Sequence, residues 1–452
     1  MSRLSRVGTL AYSLGLFAAG TYYAFNNFTL PLYLSIYTSN AILIGWLSST
    51  RSFEQSIIQP LVGAWSDRTW TRVGRRAPFF LSTMPLVALI LLFTGWLPHD
   101  PGILLIVVGA IFIFSLLFNL GIDPYNALLA DVTTPEQRGT VNGVAQVFGF
   151  VGQVAILVGA ASLYSVHPGY VFILVAVALV VGFGIAARVI REPRELAHGG
   201  AAHAMPVQSR RTLKSLLVYL RNLFRDQREA VKLLGVKLIY QFGINAAVPF
   251  LTLFAITEIG INGWSEMVAA VPLLQPLAGI DATGMSQLIA AFLLLMTALF
   301  AVPCGLLGDR FGKKKVFAIG LGVLGVFALF AAFATRVPQM LLYLIFIGFG
   351  NAAQTVLFFP YLTELVPPQR VGEFAGLSAF AETGGVFLSI LVAGELINLN
   401  LFDLKYRMVF LITGVFLLLG MFAVTFVKAK LQSGERARND VSIFASRSRS
   451  LY

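Results

Sequence analysis

The chain has 452 residues, of which 57% are hydrophobic and 12% are charged, and its formal net charge is +12. Soluble domains carry charge on roughly a quarter of their residues, so this composition excludes an ordinary soluble domain and indicates a membrane protein. The basic residues lie in turns between apolar runs, which argues against nucleic acid as a partner.

Apolar runs long enough to cross a bilayer recur along the chain. A hydrocarbon core of about 30 Å needs about 20 apolar residues in a helix. The runs predict an all-α membrane protein with twelve transmembrane helices, numbered here as spans 1 to 12, at residues 10–37, 41–65, 79–97, 102–130, 140–163, 170–190, 231–258, 283–308, 316–335, 338–365, 372–397 and 406–428. The first run follows Arg3 and Arg6 and is too long for a signal-peptide core, so we expect it to be retained.

The spans form two sets of six around a polar segment. The predicted organisation is an N-terminal six-helix bundle at residues 1–190, a cytoplasmic linker at 191–230, a C-terminal six-helix bundle at 231–428 and a basic cytoplasmic tail at 429–452. We expect the linker to contain an amphipathic surface helix around Leu213–Phe224. For this linker we favour a solvated connector over a regulatory element.

Lysine and arginine residues outside the spans concentrate in the turns after spans 2, 6, 8 and 10 and at both termini. The positive-inside rule therefore places both termini in the cytoplasm. We expect a multi-pass protein of the plasma or inner membrane whose basic turns contact anionic lipid headgroups.

Sequence motifs recur in the two halves. Three residues at the end of span 2 and just after it correspond to three at the end of span 8, namely Gly63, Asp67 and Arg68 to Gly305, Asp309 and Arg310. In the same way, Pro124-Tyr125 in span 4 corresponds to Pro360-Tyr361 in span 10. Both offsets are near half the chain, which predicts two pseudo-symmetric bundles. Transporters with such repeats bind substrate near the membrane midplane, between the halves, and expose it alternately to the two sides.

These motifs resemble those of a known family. Gly63-Ala64-Trp65-Ser66-Asp67-Arg68, followed by Arg75-Arg76, resembles the loop signature of the major facilitator superfamily. The wider string from Gln59 to Phe79, together with Ala127–Asp131, resembles the plant sucrose–proton symporters, and more distantly the glycoside–pentoside–hexuronide:cation symporters. The superfamily resemblance covers the whole chain and implies two pseudo-symmetric six-helix bundles. The sugar-transporter resemblance rests mainly on residues 55–140.

The loop signature implies a gate. Gly63 is expected to let another helix approach span 2 closely, as small residues do in membrane bundles. Asp67 is placed to accept hydrogen bonds from the N-terminus of a neighbouring helix. In the family this aspartate and Arg68 hold the halves together when the site faces outward, and the resemblance implies the same here, with Gly305, Asp309 and Arg310 as the corresponding gating residues of the second half. Arg75 and Arg76 have a plainer explanation in orientation and headgroup contact, with gating as the alternative.

Ionisable residues inside a span are expensive and are functional candidates by default. Arg51 and Glu54 are spaced i, i+3 and can pair on one face of span 2. The pair is either structural or a proton-coupling site, because burial disfavours a charged carboxylate and a nearby guanidinium favours it. Asp123 is the other candidate acid; it binds substrate hydroxyls, carries the proton or satisfies backbone groups freed by Pro124.

The resemblance also shows departures. The sodium-coupled relatives have carboxylates where this chain has Gln55 and Gln59, so their sodium site is expected to be absent. The plant symporters have an acid in span 4 at the position of Ser115, which puts proton coupling by their mechanism in doubt.

Amides and aromatic rings inside the spans suit a neutral polyhydroxylated substrate. The predicted substrate-binding residues are Tyr22, Tyr23, Asn26, Asn27, Gln55, Gln59, Asn119, Asp123, Asn126, Gln241, Asn245, Asn351 and Gln354, with Gln146, Gln153 and Glu382 as further polar side chains in the spans. Each single amide is also consistent with an interhelical hydrogen bond. Lys237, near the start of span 7, is expected to extend its ammonium group to the membrane surface.

No phosphate-binding loop, HExxH pair or nucleophile elbow occurs, so the sequence predicts neither an enzyme nor a cofactor. Cys304 is the only cysteine, which excludes an intrachain disulfide. The leading hypothesis is a secondary active transporter of a sugar or glycoside, sucrose- or disaccharide-like, driven by protons. The alternatives are a transporter of an amphipathic drug-like or lipid-like molecule and a non-transporting receptor or assembly factor.

Overall fold

The computed structural model describes residues 4–193, 225–367 and 370–428. The predicted helix around Leu213–Phe224, most of the linker and the basic tail lie outside the described residues. Several side chains within helices also lie outside them, including those of Arg51, Gln55, Gln59, Asp67 and Arg68.

The first half contains helices at all six predicted positions. Span 1 consists of Arg6–Ala24, a π-helical turn at Phe25–Thr29 and a short helix at Leu30–Leu34; spans 2 to 6 are Ala41–Arg68, Ala77–Gly95, Leu104–Val132, Pro135–Leu163 and Gly169–Val189. Asn40 is the N-cap residue of span 2, and its side chain accepts a hydrogen bond from the Leu43 amide at 3.1 Å. Such a cap satisfies one of the free N–H groups of a helix N-terminus.

The second half repeats this arrangement. Span 7 consists of Arg228–Ala247, a 3-10 turn at Val248–Phe250, a short helix at Leu251–Phe254 and a π-helical turn at Ala255–Ile259; spans 8 to 12 are Ala282–Phe311, Lys313–Ala331, Val337–Leu365, Val371–Leu399 and Arg407–Thr425. A short helix, Trp264–Ala270, and a 3-10 segment, Pro272–Leu277, connect spans 7 and 8. Spans 1 and 7, which are equivalent in the repeat, are therefore the two that contain a π-helical turn among the described residues.

In the described part of the chain, ten helices are long and apolar enough to cross a membrane. These are spans 3 to 12. Span 1 is divided by its π-helical turn, and the apolar part of span 2 is Ala41–Thr50. The prediction of an all-α membrane protein is confirmed, while a count of twelve crossings stays a prediction.

The helices pack with two-fold pseudo-symmetry. Span 1 contacts spans 5 and 6, as span 7 contacts spans 11 and 12. Span 3 contacts spans 4 and 6, as span 9 contacts spans 10 and 12, and span 2 contacts span 4 as span 8 contacts span 10. Between the halves, span 2 meets span 11 and span 5 meets span 8. Adding six to each span number thus converts the contacts of one half into those of the other.

The described contacts between the halves lie at one end of the bundle. We call the end that carries Arg75, Arg76, Arg138, Lys313 and Arg370 the basic end, and the other the opposite end. At the opposite end, the Asn398 side-chain oxygen accepts a hydrogen bond from the Ala41 amide at 2.9 Å. Nearby, the hydroxyl group of Thr252 donates to the Phe28 carbonyl at 2.9 Å.

Glycines show the difference between the two ends. A Cβ on Gly45 of span 2 would stand 3.0 Å from Ile390 of span 11, at the opposite end. A Cβ on Gly63, Gly143 or Gly376, towards the basic end, would have no described atom within 4 Å. The two halves therefore converge at the opposite end and diverge towards the basic end.

Candidate functional site

A cavity of about 190 Å³ lies between the two halves. The first half contributes Asn27, Phe28 and Gln153, and the second half contributes mainly aliphatic side chains, among them Ile244, Val248, Leu251, Leu293, Leu294, Leu344 and Ile347, with Asn351 and Thr413 as polar members. Ligand pockets in proteins commonly combine apolar walls with a few polar groups that fix orientation. This cavity has that composition, and both halves contribute polar side chains to it.

The π-helical turn of span 1 gives its two asparagines different environments. Asn26 is buried and donates to the Ser48 carbonyl of span 2. Asn27, the next residue, lines the cavity. Single π-helical turns often occur at functional sites, because they redirect side chains within a helix. Of the predicted pair, Asn27 fits a substrate contact, whereas Asn26 makes an interhelical hydrogen bond.

A second polar cluster lies inside the first half, between spans 1, 2 and 4. Asn119 donates to a carboxylate oxygen of Glu54 at 3.3 Å, and Asn119 is fully buried. Asp123, one helical turn further along span 4, is also buried. Tyr22 stacks on Phe118 with ring centroids 3.8 Å apart, and Tyr23 meets the same ring edge-on at 5.6 Å. Asn119, which bonds to Glu54, and Asp123 thus lie on one buried face of span 4, while Asn126 on that span is exposed.

The predicted amides of the second half bond mostly to each other. Asn351 donates to Thr297 at 3.1 Å, and Gln354 donates to Asn351 at 3.0 Å. Asn245 donates to the Gln241 side chain at 3.3 Å. Among these four, Asn351 also lines the cavity. Gln153, a minor candidate from the sequence, lines it from the first half.

Lys237 does not reach the membrane surface as expected. Its ammonium group lies 2.8 Å from a carboxylate oxygen of Glu382 in span 11 and 2.8 Å from the Ser378 hydroxyl group. The ammonium group also stands 4.7 Å from the centre of the Phe358 ring. Lys237 is buried, because these groups hold it inside the second half. The sequence shows both charges within spans, but not that they meet.

Arg75 and Arg76 also turn inward rather than towards lipid headgroups. The Nε groups of both donate to Asp131 Oδ2 at 3.1 Å, at the end of span 4. Arg76 is buried and also bonds to Ser66. The side chain of Glu192, just after span 6, accepts the backbone N–H groups of Arg75, Arg76 and Ala77 at 2.9, 2.9 and 3.1 Å. A carboxylate at a helix N-terminus is stabilising, so the loop is fixed to the first half.

The predicted gating residues make no close contact between the halves in this conformation, as far as their described atoms extend. The space beside Gly63 is open, contrary to the expected close approach, because the halves diverge at that end. Gly305 is in ordinary contact with Val356 of its own half at 3.6 Å. Asp309 and Arg310 are exposed. The side chains of Asp67 and Arg68 lie outside the described part of the chain.

Comparison with known families identifies the overall relationship. The sequence model of the Major Facilitator Superfamily matches residues 12–280 and 262–448. These two ranges together cover nearly the whole chain. The family resemblance inferred from the loop after span 2 is thereby confirmed.

Local similarity to sugar transport proteins is weaker. Sucrose transport protein SUC3 of Arabidopsis thaliana is 28% identical over 117 residues, which is 22% of this chain and 20% of that protein. Proton-associated sugar transporter A of Mus musculus is 34% identical over 116 residues, covering 23% of this chain and 15% of that protein. The matches therefore span at most about a fifth of these relatives.

Solved structures match the whole fold. The crystal structure of the nucleoside transporter NupG gives a TM-score of 0.66 at 14% identity, covering 95% of this chain and 100% of NupG. A crystal structure of the peptide transporter POT in complex with sulfate gives 0.63 at 14% identity, covering 92% of this chain and 93% of that one. At this identity the similarity concerns the fold.

Proposed function

Since this chain belongs to the major facilitator superfamily and is a transporter rather than an enzyme, we propose that it moves a sugar or a glycoside across the membrane. The proposed substrate is sucrose-like or disaccharide-like, and its movement is coupled to protons. The observation that carries this proposal is the local sequence similarity to sucrose and sugar transport proteins.

The cavity supports a neutral, hydroxyl-rich substrate. Asn27 and Gln153 from the first half and Asn351 from the second place amide groups around the same space. An amide both donates and accepts hydrogen bonds, so it can pair with a sugar hydroxyl group in either role. These three residues form the proposed sugar-binding set.

The divergence of the halves supports alternating access. Contacts close the opposite end, while the glycines towards the basic end face open space. If both termini are cytoplasmic, as the basic turns predict, this conformation opens to the cytoplasm. Closing the basic end and separating the opposite end completes the cycle expected of two pseudo-symmetric halves.

Proton coupling is assigned to the cluster of spans 2 and 4. Glu54 is half-buried, and its side chain bonds to span 4, where the amide of Asn119 donates to it. Burial disfavours a charged carboxylate, so we propose that Glu54 binds the proton and that Asp123, on the same surface of span 4, is the second acid.

Uptake of labelled sucrose into proteoliposomes tests this function. We expect accumulation that depends on an imposed pH gradient and is abolished by a protonophore. Accumulation that ignores the gradient would refute proton coupling. If neither sucrose nor any of a panel of labelled mono- and disaccharides enters, the sugar proposal is wrong.

The aliphatic wall of the cavity favours one alternative, an amphipathic substrate. Ile244, Leu251 and Leu344 present apolar surface opposite the amides. Each CH₂ group buried there contributes about 0.8 kcal/mol. Competition by a series of alkyl glycosides distinguishes the two: inhibition that increases with each CH₂ group, without inhibition by free sugars, supports the amphipathic substrate.

A further inference from the structure

The ion pair between Lys237 of span 7 and Glu382 of span 11 lies deep in the bundle. Lys237 is nine residues from the start of its helix, and Glu382 is eleven residues from the start of its own. Span 7 extends over Arg228–Ile259 and span 11 over Val371–Leu399, so at 1.5 Å per residue Lys237 and Glu382 lie about 10 and about 5 Å from the middle of their spans. Both therefore lie inside a hydrocarbon core of about 30 Å, where an ionisable group is a functional candidate.

Glycine brings spans 7 and 11 close together beside this pair. Gly385 of span 11 brings the two helices together, since a Cβ there would stand 2.9 Å from the Leu238 carbonyl. The equivalent helices of the first half, spans 1 and 5, also meet at glycines. A Cβ at Gly149 would stand 3.5 Å from the Leu16 carbonyl oxygen, and a Cβ at Gly152 would meet the backbone of Phe17. Spans 1 and 5 therefore achieve the same contact through glycine, so the ion pair adds something that the packing does not need.

The two members of the pair differ in exposure. The side chain of Lys237 is 9% exposed, whereas that of Glu382 is 49% exposed. At about 100° per residue, Glu382 lies between two faces of span 11. One face, at Gly385, packs on span 7, and the other, at Ile390, meets span 2 of the first half. Glu382 therefore points to the cleft between the halves, on the side that opens towards the basic end.

We propose that Glu382 is a proton-exchanging carboxylate of the transport cycle and that Lys237 is its fixed counter-charge. In this step Glu382 takes a proton from a hydronium ion in the cleft. One O–H bond of the hydronium ion breaks and leaves a water molecule, an O–H bond forms on the carboxyl group, and the ionic bond to the Lys237 ammonium group becomes a weaker hydrogen bond. The pair can then separate when the cleft closes. This inference rests on the proposed function and assigns to the second half an acid that is independent of Glu54.

The other ionisable groups around the pair are few among the described residues. Span 7 adds Tyr240, one turn from Lys237 and buried, and span 10 adds Tyr361, also buried. On span 11, Glu373 pairs with Arg370 near the basic end, and Glu395 is exposed near the opposite end. Span 12 contributes Arg407, which pairs with Glu258 at the opposite end. Across the cleft, span 2 carries Glu54, which bonds to span 4.

Infrared difference spectra test the proposal without any substrate. The full chain, purified and reconstituted in lipid, is compared at neutral and acidic pH. We expect the C=O stretch of protonated carboxylic acids to appear on acidification, to be weaker in Glu382→Gln by the contribution of one carboxyl group, and to keep its full strength in the control Glu395→Gln. In Lys237→Gln the band should shift in frequency, because the carboxyl group loses the ammonium group as its hydrogen-bond partner. An acid band that is the same in Glu382→Gln as in the parent chain would overturn the proposal.

Transport measurements distinguish an error in the assignment of Glu382 from an error in the proposed function. With labelled sucrose in proteoliposomes, Glu382→Gln should lose gradient-driven accumulation and keep counterflow exchange, and Glu382→Asp should restore part of the driven uptake. Driven uptake that is unchanged in Glu382→Gln contradicts the proposal. If the parent chain does not transport sucrose, the proposed function fails, and the infrared result alone decides the assignment of Glu382.

Discussion

Gly394 of span 11 lies directly against Ile42 of span 2, and a Cβ at Gly394 would stand 2.8 Å from both Cα and N of Ile42. Gly376 lies eighteen residues earlier in the same helix, and a Cβ there would have no described atom within 4 Å. Span 11 therefore contacts the first half at the closed end of the cleft and is separated from it at the open end.

Substituting these two glycines should shift the conformational equilibrium in opposite directions. Gly394→Val overfills the contact with Ile42, at a cost of about 1–3 kcal/mol, and should open the opposite end. Gly376→Val has room in this conformation and should hinder closure of the basic end. We would measure the maleimide reactivity of Ala41→Cys, which is buried at this contact, in a Cys304→Ser background. Equal reactivity in both glycine variants would contradict the conclusion that the cleft is closed at the opposite end and open at the basic end.

Glu54→Gln should uncouple transport from protons. The amide keeps a hydrogen-bonding group for Asn119, which lies 3.3 Å away, but cannot take up a proton. Gradient-driven sucrose uptake should be lost while counterflow exchange remains. Glu395→Gln, an exposed position on span 11, is the control and should change neither. Driven uptake and counterflow that remain equally intact in Glu54→Gln would remove Glu54 from the mechanism.

Asp131→Asn should destabilise the first half. Asp131 bonds to both Arg75 and Arg76, and its side chain is 8% exposed. Removing one charge from a buried ionic cluster costs about 3–5 kcal/mol, because the remaining charges lose their partner. Asp226→Asn is the matched control, since Asp226 pairs with Arg225 at an exposed site, where such pairs contribute about 1 kcal/mol or less. Thermal unfolding of the purified proteins should show a clear decrease for Asp131→Asn alone.

Gln153→Leu should weaken sugar binding. Gln153 lines the cavity, and loss of a hydrogen bond to a bound hydroxyl group costs about 1–3 kcal/mol, or about 5- to 150-fold in affinity. Gln146→Leu, at an exposed position two helical turns earlier on span 5, is the comparison. A similar loss in both variants would place the sugar elsewhere, and unchanged transport of an alkyl glycoside in Gln153→Leu would favour the amphipathic substrate.

Much of the fold could be predicted from the sequence, because the length of an apolar run sets the length of a membrane helix. Span 8 was expected at 283–308 and is Ala282–Phe311; span 11 was expected at 372–397 and is Val371–Leu399. Pro124 and Pro360 lie inside spans 4 and 10, as the repeat predicts.

The site was less predictable, because it depends on which side chains meet. Arg76 and Asp131 are 55 residues apart in sequence, and their partnership follows from how spans 3 and 4 pack. Asn26 and Asn27 are adjacent, but the π-helical turn gives them different roles. Lys237 and Glu382 both stand out as charges in apolar runs, but only the packing of span 7 on span 11 brings them together.

The carboxylate of Glu192 has a mechanical consequence. It accepts the backbone N–H groups that open span 3, and it lies three residues after span 6 ends at Val189, where the chain leaves the first half. A pull on the chain beyond that point is therefore applied to the N-terminus of span 3. Through Arg76 and Asp131 the same load reaches span 4, the helix that carries Asn119 and Asp123. Tension in the connection between the halves thus has a direct route to the helix on which both candidate acids of the first half depend.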